Sequence, residues 1–160
     1  MARSKANPQA VLRPQDVVVL MRLSLGREAI PTYAALAAEL GMTASEVHAA
    51  IERAVAAQLA VKEAGGKARV LLPALRQFLQ YGARYCFPAT RGSLTRGMPT
   101  GYAAAPLNQM IRAGSDPMPV WPYKVGTVRG IALYPLYPSV PGAAARNPAA
   151  RPLLDLQQRS

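Results

Sequence analysis

Acidic residues are scarce in this chain. Eight Asp and Glu stand against 19 Lys and Arg, leaving +11 over 160 residues, although only 17% of residues are charged. The basic balance therefore comes from missing acids; such an excess suits a polyanionic partner such as nucleic acid, and can equally be a solvated face. Cysteine occurs once, as Cys86, which excludes an intrachain disulfide framework and makes the reducing cytoplasm the expected setting. With one histidine, His48, no His/Cys cluster of metal-ligand spacing exists, so neither a metal nor another cofactor is expected. Long apolar runs are also missing. The run at residues 17–21 is ended by Arg22, far short of the roughly 18 residues of a membrane span. The first eight residues carry charge with no apolar core behind them, so no export signal and no membrane association are expected.

Half of the residues, 51%, are apolar, enough for a packed core and too many for a disordered chain. Proline divides the chain. Four of the 15 prolines fall in residues 1–80 and 11 in residues 81–160, where 9 bases meet only Asp116 and Asp155. Proline breaks helix interiors, so the first half reads as regular structure and the second as irregular.

In the regular half, Pro14 is suited to the first position of a helix, and Val17, Val18, Leu20, Met21 and Leu25 give it an apolar side until Gly26. Thr32 caps a second, short helix with Leu36, Ala37 and Leu40 on one face, ended by Gly41. Thr43 precedes Glu46 by three residues, a capping box that starts a third helix at Ala44. Its inward face is Val47, Ala50, Ile51 and Ala54, and it ends near Gln58. Two strand-like runs, 59–63 and 68–72, flank Gly65-Gly66, which makes a tight hairpin inexpensive. Pro73 restarts a helix that runs to about Cys86. Beyond it, residues 125–133 have the composition of a strand and residues 149–158 that of a short helix. The expected class is mainly α with a small β-hairpin (α+β), divided into a tail (1–13), a helical and hairpin domain (14–86) and a Pro-rich C-terminal region (87–160).

Leu36, Ala37, Leu40, Gly41, Met42, Val47 and Ala50 resemble, in type and order, the helix-turn-helix of winged, MarR-like bacterial transcription regulators, over about residues 14–86. A small residue at Ala37 lets two helices cross closely, and Gly41 tolerates a left-handed turn. The resemblance implies that the third helix enters the major groove of double-stranded DNA with Thr43, Ala44, Ser45, His48, Ala49, Glu52 and Arg53. Arg53 would read guanine or clamp a phosphate, and Glu52 would accept from cytosine. Lys62, Lys67 and Arg69 would reach the backbone from the wing. Glu46 and Glu52 depart from this pattern, since carboxylates on such a helix repel phosphate.

No enzyme signature is present. Gly65-Gly66-Lys67 lacks the spacing of a nucleotide-binding loop, His48 has no partner motif for catalysis, and Cys86 reads as a small buried hydrophobe before a redox-sensing thiol. Six of the seven tyrosines and Trp121 lie in the second half among bases. Such residues stack on single-stranded bases or pin an irregular chain to a core, and the apolar content of residues 134–141 favours the second. The combined expectation is a dimeric, sequence-specific transcriptional regulator, a repressor by preference, whose residues 87–160 supply dimerisation or a partner surface. The alternative is an antitoxin-like module whose C-terminal arm covers a protein partner.

Overall fold

The structure, a computed structural model, describes residues 11–26, 30–148 and Arg151. Helix α1 (Pro14–Ser24) opens with proline in its first turn. Its N-terminus is closed by Asp16, whose carboxylate accepts the Arg13 N–H at 2.8 Å. Helix α2 (Tyr33–Leu40) is capped by Thr32 and stopped by Gly41 at φ 66°. The positive φ is one a β-carbon would strain, as the sequence implies. Helix α3 (Ala44–Ala56) starts at the Thr43/Glu46 box, with Glu46 N–H on Thr43 Oγ1 at 3.2 Å and Thr43 N–H on Glu46 Oε2 at 2.7 Å. Strands β1 (Ala60–Lys62) and β2 (Ala68–Val70) pair antiparallel, Ala60 opposite Val70. Gly65 and Gly66, both at positive φ, close the hairpin.

The following helical stretch is interrupted. Helix α4 (Leu72–Gln77) passes through a wider π turn at Phe78–Gly82 into α5 (Ala83–Cys86). Cys86 is exposed, not buried as its neighbours Tyr85 and Phe87 suggest. The segment ends there, so the apolar face of the stretch does not carry Cys86 into the core.

The second half is more regular than its prolines imply. Strand β3 (Arg91–Pro99) runs antiparallel to both β4 (Pro119–Pro122) and β5 (Val128–Leu133), and β4 and β5 are parallel, so three strands close on one another. Closure needs glycine. A β-carbon on Gly97 would collide with the Trp121 carbonyl, and one on Gly130 with that of Met118. Helix α6 (Val140–Arg146) follows, with Pro141 in its first turn. The strand expected at 125–133 is therefore β5, whereas β3, β4 and α6 were not expected. The helix expected at 149–158 lies outside the described residues, Arg151 excepted. The chain is a mixed α and β protein with small sheets.

One core joins the two halves. Val18, Leu20, Leu36, Leu40, Val47, Ile51 and Ala54 cluster with Trp121, Val140, Ala143 and Ala144. Helix α1 is buried on nearly all sides, Val19 included, where a one-sided face was expected. The expectation that the apolar residues of 87–160 lie against a second subunit or partner is corrected at Trp121 and Leu133, which are buried within their own chain. The cause is closure of the three strands and the return of α6 onto α2. Among the described residues, no helix is long and apolar enough to cross a membrane.

Candidate nucleic-acid interface

The inward positions of α3 are occupied as its spacing requires, with Val47, Ala50, Ile51 and Ala54 all buried. That leaves Thr43, Ala44, Ser45, His48 and Glu52 exposed and Ala49 half-exposed on the outer side. The hairpin stands beside this stripe, with Lys62, Lys67 and Arg69 exposed. Tyr33, at the start of α2, ties the two together. Its ring meets His48 edge-on at 5.9 Å between centroids, and its hydroxyl donates to the Gly66 carbonyl at 2.9 Å. Tyr33, which the sequence reading did not single out, thus helps to hold the hairpin beside α3, together with the Lys62–Glu52 bond.

Arg53 does not belong to this surface. Its Nε and one terminal nitrogen donate to the two carboxylate oxygens of Asp16 at 2.8 and 2.7 Å. Asp16 is fully buried, and 18% of the Arg53 side chain is exposed. The hydrogen bonds to Asp16 raise the Arg53 pKa further above its ordinary value. A guanidinium held bidentately by a buried carboxylate has its planar fork committed, so the role of guanine reader or phosphate clamp is corrected to an internal brace between α1 and α3.

The remaining charges sort by exposure. Glu52 accepts from Lys62 and lies 3.6 Å from His48. Arg69 pairs with Glu63 at 2.5 Å. All of these side chains are more than 40% exposed, and surface pairs of that kind contribute little and exchange partners readily. Lys62 and Arg69 can turn to phosphate, whereas Arg53 cannot. Lys67 has no acidic partner among the described residues. The hydrogen bond and charge of Lys62 hold the Glu52 carboxyl below its ordinary pKa, so Glu52 is an anion screened by the hairpin rather than a bare repulsive charge.

Glu46 is likewise spoken for. Besides the capping bonds with Thr43, it accepts the Tyr137 hydroxyl at 2.9 Å. Ser139, next along the returning chain, donates to the Leu40 carbonyl, and Arg146 reaches the Glu39 carbonyl. Residues 137–146 thus lie over the turn between α2 and α3. No family model, curated protein or solved structure matches the chain. The surface must therefore be interpreted from its own chemistry.

The Glu46–Tyr137 bond gives a pH signature. The Thr43 backbone bond, then the Tyr137 and Thr43 hydroxyls, lower the Glu46 pKa from 4.5, and the same carboxylate raises that of Tyr137 from 10.0. A lowered carboxyl pKa adds stability that is complete above the unfolded value and is lost as pH falls through the folded one. A raised phenol pKa adds stability that is complete below its unfolded value. Tyr137→Phe is therefore expected to melt below the wild type between about pH 5 and 9, with the gap closing as pH falls below 4.5. Thermal melts followed by circular dichroism across this range check it.

Proposed function

We propose that the chain is a sequence-specific, double-stranded DNA-binding transcriptional regulator in which α1–α3 and the β1–β2 hairpin act as a winged helix-turn-helix. The observation that carries this reading is Tyr33, which locks an exposed α3 stripe beside an exposed basic hairpin. Ser45 and His48 can exchange hydrogen bonds with base edges, Ala44 and Ala49 offer methyl groups to thymine, and Lys67 reaches a phosphate. Base discrimination rests on Ser45 and His48 because Arg53 is withdrawn. The net charge of +11 supports affinity through counterion release independent of sequence.

Selection of bound fragments from a genomic duplex pool tests the reading. One preferred sequence class is expected to be enriched. His48→Ala should lower discrimination by about 1–3 kcal/mol at one position, while Lys67→Ala should weaken all sequences and reduce the salt slope by about one. A pool that stays unenriched, with binding that ignores both substitutions, overturns the assignment.

Repression as a dimer belongs to the same proposal. Leu72, Tyr81 and Tyr85 are 55, 66 and 79% exposed between residues 72 and 86, apolar side chains available to a second copy. The second reading is an antitoxin-like module that covers a protein partner through its C-terminal arm, residues 87–160, and the two readings are compatible. Co-purification separates the two: a second protein that stays bound to the chain supports the second reading, and a chain that purifies alone and enriches one duplex sequence supports the first.

A further inference from the structure

Arg96 on β3 stands directly opposite Arg129 on β5 in an antiparallel pair, so both side chains leave the same face of the sheet, and both are exposed. Directly opposed like charges destabilise a strand pair. Neither arginine has an acidic partner among the described residues. Lys124 adds a third cation. With Arg96, Thr95, Pro122 and Tyr123 it lines a shallow concavity of about 370 Å³. Asp116, the one described acid beyond residue 80, lines a different depression with Arg91.

We infer that Arg96, Arg129 and Lys124 form a second DNA contact, a sequence-independent clamp on the sugar-phosphate backbone of the duplex, separate from α3 and the hairpin. The inference rests on the DNA-binding function proposed above. Guanidinium groups side by side across two strands present parallel N–H donors that phosphate oxygens accept in pairs. A row of phosphates also removes the repulsion that the bare pair carries. A duplex fits better than a single strand because Tyr123, the aromatic residue of the concavity, is half-buried and offers little open ring for base stacking.

The test uses the full chain and a duplex of arbitrary sequence, titrated by fluorescence anisotropy at several salt concentrations. Arg96→Gln/Arg129→Gln is expected to flatten the dependence of log affinity on log salt by about 1.8, two phosphate contacts at about 0.9 each. The preferred sequence class should stay as in the wild type. Thermal melting should be unchanged or raised, since a repulsive pair is removed, so weaker binding would not reflect unfolding. An unchanged salt slope overturns the clamp, as does a wild type that binds a single strand more tightly than the duplex. A wild type without sequence preference whose slope still falls in the double variant keeps the clamp and removes the groove contact instead. A wild type that binds no duplex overturns both.

Discussion

Arg53→Ala is expected to lower the thermal midpoint by about 6–12 °C, so that any loss of DNA affinity follows from unfolding. Truncation leaves the fully buried Asp16 carboxylate with only the Arg13 N–H at 2.8 Å. Breaking a buried pair by removing one partner costs about 3–5 kcal/mol. The 18% exposure of Arg53 lets water reach the site and places the effect near 3. For a chain of this size each kcal/mol shifts the midpoint by about 2–4 °C. Replacing both partners, Asp16→Leu with Arg53→Met, is expected to recover most of the loss, because neither charge then stays unpaired in the core. Melting of the three variants checks this. An Arg53→Ala protein that melts with the wild type but binds DNA less tightly would return the residue to the groove.

Trp121→Ala is expected to be more damaging still, by about 3–5 kcal/mol. The indole is fully buried in the cluster that also holds Leu36, Leu40 and Ile51, so the cavity opens between the two halves of the chain. Its N–H meets no acceptor among the described residues, and Trp121→Phe therefore sacrifices volume without a hydrogen bond and should cost much less. Urea unfolding gives the magnitudes. Hydrogen exchange shows where they act: α2 and β3 are expected to lose protection together in Trp121→Ala, since one core serves both. Protection retained in α2 alone would mean that the first half stands independently.

Local rules made the first half legible. Thr32, Gly41, the Thr43/Glu46 box and Gly65-Gly66 each act within a few residues, and all sit where their chemistry demands. Asp16 and Arg53 are 37 residues apart, and no periodicity links them. The hint was an acid beside the apolar run of α1. The three strands of the second half were obscured for a different reason. Their closure depends on Gly97 and Gly130 passing tightly under carbonyls, and β3 carries no regular alternation of buried and exposed residues. Pro141 belongs to a Pro-rich stretch whose composition reads as irregular, although proline is equally suited to the first turn of a helix, which is its place in α6. Among the proposed interface residues, the helical period gives which side chains of α3 point outward, and the resemblance alone implies that they meet DNA. The pairing of Glu52 with Lys62, and the link from Tyr33 to the hairpin, depend on how the hairpin folds back.

The return of α6 onto α2 has a consequence for synthesis. Ser139 bonds to Leu40 and Tyr137 to Glu46 across 99 and 91 residues, so the core begun by the first three helices is completed only by residues translated long after them. While the ribosome is still making residues 90–140, the emerging chain shows water the apolar patch that Trp121, Val140, Ala143 and Ala144 will cover. Such an unfinished surface invites chaperones and aggregation. A premature stop codon anywhere before the codon for Val140 would therefore leave an adhesive fragment rather than a smaller working protein.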